Sequence, residues 1–117
     1  MSMMIVHAAF MLAMFAADVS GTWNVTVRSD AAGTIKSMFV FNQKDEILTG
    51  TYKGSVDGKV EGALKGNDVS ITVYTPRGVV KFQGKLDAAG RRITGTYENV
   101  GRGMGSFTAD KAATAGK

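Results

Sequence analysis

The sequence predicts an all-β fold: an eight-stranded antiparallel up-and-down barrel, or meander, preceded by an apolar N-terminal segment. Three observations support this prediction. Turn signals recur at short intervals, apolar and polar residues alternate between them, and the chain has 15 glycines but only one proline. Glycine without proline suits strands that bend or approach closely, because proline cannot donate to a β-ladder. At 117 residues the chain is expected to form a single folded domain.

The first element is an apolar leader. Residues 1–17, MSMMIVHAAFMLAMFAA, contain no Lys, Arg, Asp or Glu, and the charged residues begin at Asp18. Such a segment is typical of a secretory signal peptide and is shorter than the roughly 20 residues of a membrane span. We therefore expect an exported protein, periplasmic or extracellular. However, no positive side chain precedes the apolar run. The alternative is that the segment is retained as an apolar helix, which would lie on a membrane, on the barrel or on another subunit.

Eight strands follow, separated by seven turn signals. Each signal contains Gly, Asn, Asp or Pro in an arrangement that favours a turn. The signals occupy residues 29–33, 44–46, 57–58, 66–68, 76–78, 87–90 and 99–103. The strands are predicted at residues 21–29, 34–43, 47–55, 59–66, 69–75, 79–86, 91–98 and 104–110. The connections are too short for the crossovers that parallel strands need, so the strands are antiparallel. The barrel domain then spans 18–111, and 112–117 form a flexible tail.

Alternation within each strand separates an apolar face from a polar face. In the first strand Trp23, Val25 and Val27 alternate with polar residues. Later strands continue the apolar face with Leu48, Tyr52, Val60, Leu64, Val69, Ile71, Val73, Val80, Phe82, Leu86, Ile93, Tyr97 and Phe107. Closing the strands into a barrel buries this face and removes both sheet edges. A two-sheet sandwich is the alternative, and it would usually need longer connections.

The second strand has apolar residues on both faces. Placing Ile35, Ser37, Phe39, Phe41 and Gln43 inward avoids burying two lysines without partners. This choice leaves Met38 and Val40 outward, near Ile47. These three are either scattered exposed residues or a patch for a homo-oligomer contact or a retained leader.

Two short motifs carry a family resemblance. Gly21-Thr22-Trp23 and the LTGTY of residues 48–52 resemble the avidin and streptavidin family, in which Gly-x-Trp opens strand one and a similar LTGTY falls in strand three. The early Gly-x-Trp is also similar to lipocalins and other calycins. The resemblance implies an eight-stranded barrel. It does not extend to biotin binding, because the biotin pocket is lined by several tryptophans and this chain has only Trp23.

The LTGTY motif has a near copy, ITGTY, at residues 93–97. In each copy the alternation places a large aliphatic residue, a glycine and a tyrosine on the inner face. The copies are four strands apart, so we expect them on opposite sides of a closed eight-stranded barrel.

The interior of the barrel is the candidate site. An eight-stranded barrel is either filled by its own side chains or holds one small ligand. Inward glycines either accommodate the bulky rings or leave space, and both outcomes remain open. Our leading hypothesis is binding of a small, mostly apolar molecule at one open end, without a cofactor. The predicted contact residues are Trp23, Ser37, Phe39, Tyr52, Phe82 and Tyr97. The alternative is a structural or self-assembly module with a filled barrel.

Composition argues against several other functions. The chain has no cysteine, and its single histidine, His7, lies in the leader. Nucleophile–histidine pairs and thiolate or imidazole metal sites are therefore not expected in the barrel domain. Glu61 and Glu98 fall on the polar face, so no inward pair of carboxylates is predicted. We expect a protein that is not an enzyme. The net charge is +4, but Lys and Arg are scattered, so no nucleic-acid partner is expected.

Overall fold

The computed structural model describes residues 18–30 and 33–112. The predicted leader and residues 113–117 of the predicted tail lie outside this range. The strands are β1 (Gly21–Ser29), β2 (Gly33–Lys44), β3 (Ile47–Lys53), β4 (Gly58–Lys65), β5 (Asp68–Thr75), β6 (Gly78–Leu86), β7 (Arg92–Asn99) and β8 (Gly103–Lys111). Each pairs antiparallel with the next, and β8 pairs with β1 to close a barrel. The predicted fold class is confirmed, with strand ends shifted by one or two residues.

Period-two alternation explains which residues fill the interior. The inward residues of β1, Trp23, Val25 and Val27, are fully buried, and the apolar faces of the other strands form one continuous core with them. In β2 the side chains of Phe39 and Phe41 are buried, as predicted for the inward set. Met38 and Val40 are half-buried on the outside, and Ile47 is 57% exposed.

One end of the barrel, where β1 begins, is closed by the residues that precede β1. Val19 is fully buried, and its carbonyl accepts a hydrogen bond from the indole Nε1–H of Trp23 at 2.9 Å. The amide of Val19 donates to Oε1 of Gln43 at 2.8 Å, and the amide of Gln43 donates to Oγ of Ser20 at 3.0 Å. These bonds satisfy polar groups that closure would otherwise bury without partners. We call this end of the barrel the closed end. The opposite end, where β1 ends, is called the open end.

The two motifs have the same structural role in β3 and β7. Leu48 and Ile93 are fully buried. At Gly50 a Cβ atom would lie 1.8 Å from the carbonyl oxygen of Val40, and at Gly95 it would lie 1.9 Å from that of Gln83. Only glycine allows the neighbouring strand to pass this closely, which is how small barrels bend their strands. The glycine of each motif therefore allows the close strand approach that a small, curved barrel needs.

The turn between β6 and β7 is organised by one carboxylate. Oδ1 of Asp87 accepts hydrogen bonds from the backbone amides of Arg91 at 2.9 Å and Arg92 at 3.2 Å. The carbonyl of the same residue accepts from the amide of Gly90 at 3.0 Å. The backbone bond from Arg91 is the main reason that the pKa of Asp87 lies below its ordinary value of 3.8.

We expect Asp87→Ala to lower the melting temperature at pH 7 and the deficit to shrink below about pH 4. The folded-state pKa is depressed, so the stabilisation is complete above the unfolded value and is lost as pH falls through the folded pKa. Thermal unfolding at pH 7 and pH 3, followed by circular dichroism, measures this. Asp87→Asn is the matched control, because its amide oxygen still accepts the hydrogen bonds, and it should lose less at pH 7. A deficit for Asp87→Ala that is equal at both pH values would contradict this role.

Candidate ligand-binding site

Aromatic rings fill the middle of the barrel. Phe39 stacks on Phe41 with ring centroids 5.0 Å apart and meets Phe82 edge-on at the same distance. Phe82 meets Phe107 edge-on, also at 5.0 Å. Trp23 continues the cluster toward the closed end, 6.3 Å from Phe41. Such geometries are favourable for aromatic pairs. This part of the barrel is therefore packed.

A cavity of about 120 Å³ remains at the open end. Its apolar walls are Val27, Ile35 and Val80, on β1, β2 and β6, and Val56, in the connection between β3 and β4. For scale, an apolar cavity of about 150 Å³ in another protein binds benzene. This cavity is somewhat smaller but open at its mouth, so it can take a short chain or most of a small ring, and the rest of a ligand would extend into solvent.

Two tyrosines stand between the packed rings and the cavity. Tyr52 and Tyr97, the last residues of the two motifs, both line the cavity. Their rings lie 6.4 Å and 5.6 Å from Phe82. Tyr97 is only 8% exposed. Among the described residues neither phenolic hydroxyl has a hydrogen-bond partner, so both can bond to a guest in the cavity.

The rim of the cavity is polar and positively charged. Thr75 and Arg77 come from the end of β5 and the following turn, and Asn99 and Arg102 come from the end of β7 and its turn. Both arginines are exposed. A cavity with apolar walls and a few polar groups at its mouth has the composition of a typical small-molecule site.

The six predicted contact residues occupy four different environments. Tyr52 and Tyr97 line the cavity. Phe39 and Phe82 lie beneath the tyrosines, since the ring of Phe39 is 5.6 Å from Tyr52 and Phe82 contacts both. Trp23 lies at the closed end, hydrogen-bonded to the carbonyl that seals it. The role of these residues in binding stays a prediction.

Ser37, the sixth residue, lies at the side of the barrel. It is 9% exposed, and its Oγ has no hydrogen-bond partner among the described residues. Pairing between β2 and β3 begins at Met38 and Lys53, so the first residues of β2, Gly33 to Ser37, pair with β1 alone. An outer groove lined by Lys36 and Lys53 reaches Ser37 there.

The two rim arginines were not predicted as site residues. Arg77 and Arg102 both fall within predicted turns, at residues 76–78 and 99–103, and no function was assigned to them. A usable signal was present: in an up-and-down meander successive turns alternate between the two ends, so the fifth and seventh turns share an end. Topology alone could therefore have placed both arginines at the same mouth.

Within residues 18–30 and 33–112 no group of three or more His, Cys, Asp or Glu side chains is arranged to hold a metal ion. The same residues include no helix long and apolar enough to cross a membrane.

The fold and the site together define a small, closed eight-stranded β-barrel with a cavity at its open end. No family model and no curated protein sequence matches the chain. Among solved structures it is similar to a redesigned β-barrel, b11L5F_LGL, with a TM-score of 0.69 and 18% identity over 85% of this chain and 98% of that one.

Two further structures with this fold are described with the small molecule DFHBI bound. EF1p2_mFAP2b has a TM-score of 0.65 and 13% identity over 80% of this chain and 94% of its own. The redesigned barrel mFAP0 has a TM-score of 0.61 and 19% identity over 80% of this chain and 98% of its own. At these identities the likeness establishes the fold alone, a small eight-stranded β-barrel. It does not confirm membership of the avidin or lipocalin families, and that resemblance stays a prediction.

Proposed function

We propose that this protein is a non-enzymatic binding protein that takes a small, mostly apolar molecule into the cavity at its open end. The observation that carries the proposal is the cavity bordered by Tyr52 and Tyr97 in a barrel that is otherwise packed. Filling an apolar space and removing apolar ligand surface from water would provide the affinity. The two hydroxyls would orient the guest.

The solved structures support the same proposal. Two barrels of the same fold, EF1p2_mFAP2b and mFAP0, are described as bound to DFHBI. An eight-stranded barrel of this size can therefore hold one small molecule. Export remains part of the proposal on the evidence of the apolar leader at residues 1–17.

We expect neutral, ring-sized compounds such as indole and benzyl alcohol to bind, with dissociation constants between about 10 µM and 10 mM, because so few ligand atoms can be buried. Protein-observed NMR titration of the full chain should shift the ring resonances of Tyr52 and Tyr97. Val80→Phe, which adds a ring to the cavity wall, should weaken binding at least about tenfold. Val100→Phe is the matched control, since it adds the same volume at an exposed position in the turn between β7 and β8. Absence of any shift, or equal shifts in both variants, would contradict the proposal.

Self-assembly is the second candidate function. Ile47 is 57% exposed, and Met38 and Val40 are outward-facing and half-buried. Native mass spectrometry of the full chain separates the two functions. A monomer that carries a bound guest favours ligand binding, whereas a defined oligomer that Ile47→Lys dissociates favours assembly.

A further inference from the structure

We propose that the ligand carries a carboxylate, which the two arginines at the mouth of the cavity hold. This inference rests on the proposed function and specifies the class of ligand. Arg77 and Arg102 both line the cavity, and the described residues that line it include no Asp or Glu. With an uncharged guest, neither guanidinium group would have an ion-pair partner among the described residues.

Three other cations of the barrel have acidic partners. Lys59 pairs with Glu61 at 3.9 Å, and Arg92 pairs with Asp110 at 2.7 Å. Lys85 likewise contacts Asp68. Among the described residues, the guanidinium groups of Arg77 and Arg102 form neither an ion pair nor a hydrogen bond. Both therefore keep their full set of donors for a ligand.

Hydrogen bonds order the two turns that carry these arginines. The amide of Arg77 donates to Oγ1 of Thr75 at 3.0 Å, and that hydroxyl donates to the carbonyl of Gly78 at 2.9 Å. The amide of Arg102 donates to the carbonyl of Asn99 at 2.8 Å. The backbone of each arginine is thus positioned before a ligand arrives, which lowers the ordering cost of binding.

Backbone pairing between the strands places these two turns side by side. Val80 pairs with Asn99 where β6 meets β7. Beyond that pair, the amide of Val100 donates to the carbonyl of Val79 at 3.1 Å and joins the β7–β8 turn to the start of β6. Arg77 precedes β6 directly, so both guanidinium groups belong to one continuous piece of the rim.

The combination selects an amphiphile with an acidic head. Guanidinium pairs with a carboxylate through two parallel hydrogen bonds, and charge-assisted bonds are about twice as strong as neutral ones. The cavity of about 120 Å³ accepts the ring or short chain, while the head stays at the exposed rim. The expected class is an aryl or short-chain alkyl carboxylic acid.

Three compounds of the same shape test the inference: 3-phenylpropionate, 3-phenylpropionamide and 3-phenylpropylamine. In NMR titrations at 50 mM salt and neutral pH, we expect the carboxylate to bind about tenfold more tightly than the amide and the amine to bind most weakly. The factor is modest because an exposed ion pair is screened by water and salt. The preference should decrease at 500 mM salt.

Arginine variants test whether Arg77 and Arg102 cause the preference for the carboxylate. Arg77→Met and Arg102→Met keep much of the apolar stem of the side chain and remove its charge, so each should weaken binding of the carboxylate more than binding of the amide. Arg91→Met, in the turn between β6 and β7 at the closed end, is the matched control and should keep the preference. Circular dichroism of each variant confirms that the barrel is intact.

The outcomes separate this inference from the proposed function. Equal binding of amide and carboxylate by the unmodified protein would overturn the inference and leave the ligand-binding function standing. A carboxylate preference that survives in both Arg77→Met and Arg102→Met would also overturn it. Failure of all three compounds, together with indole and benzyl alcohol, would overturn the proposed function itself.

Discussion

Gly95→Ala is expected to destabilise the barrel by about 3 kcal/mol or more, the upper part of the range for overpacked sites. The new Cβ would lie 1.9 Å from the carbonyl oxygen of Gln83 and 2.5 Å from Cα of Gly84. Both contacts are with backbone, so no side-chain rotation relieves them, and β6 would have to move away from β7. Urea unfolding followed by circular dichroism measures the loss.

Two controls distinguish this effect from a general intolerance of substitution. Thr96→Ala changes the adjacent, exposed residue and should alter the free energy of unfolding by less than about 0.5 kcal/mol. Gly66→Ala has open space around its Cβ but a φ of +61°, so it should cost about 1 kcal/mol through backbone strain alone. If Gly95→Ala were as stable as Gly66→Ala, the close approach of the strands would not be the reason for this glycine.

Trp23→Ala is expected to reduce the free energy of unfolding by about 3 to 5 kcal/mol, the usual range for removing a buried tryptophan. Trp23 is fully buried, contacts Phe41, and donates the hydrogen bond that holds Val19 across the closed end. The substitution removes both the packed ring and the partner of a buried carbonyl. Chemical denaturation monitored by far-ultraviolet circular dichroism provides the measurement.

Trp23→Phe separates the ring from the hydrogen bond. It keeps most of the packing and leaves the carbonyl of Val19 unpaired, so the loss should be smaller, about 1 to 3 kcal/mol. Asn24→Ala, at the next and exposed position, should change stability by less than about 0.5 kcal/mol. A loss below about 1 kcal/mol for Trp23→Ala would show that the tryptophan does not seal this end.

The strands and the core residues, Trp23 among them, could be predicted from local sequence patterns. The alternation around Trp23, Val25 and Val27 is a local property, and a strand must place alternate residues on opposite faces. The choice of the inward set in β2 depended only on the cost of burying lysines. Both predictions needed no knowledge of distant parts of the chain.

Close contacts between strands could not be predicted in the same way. The sequence identified the glycines of LTGTY and ITGTY and offered two explanations for them, space for rings or space for a guest. The structure shows a third, contact with a neighbouring backbone, at Val40 for Gly50 and at Gln83 for Gly95. This contact depends on the stagger of adjacent strands, which composition does not reveal.

The candidate site was predicted only in part for a related reason. Tyr52 and Tyr97 could be placed inward from the alternation, and they line the cavity. Trp23 could be placed inward too, but alternation does not state how far along the barrel a residue lies relative to residues of other strands. The arginines of the rim come from turns, where no periodic pattern marks the direction of a side chain.

The strands, their order, their inner and outer faces and the closure of the barrel could be predicted from the chain, because turns and alternation are local and a single apolar face requires burial. The packing of the rings in the middle of the barrel, and the cavity of about 120 Å³ with two arginines at its rim, become visible only once the barrel is folded. A cavity is the small difference between the space that the closed barrel encloses and the volume of its side chains. That difference depends on register, bending and packing across the whole barrel.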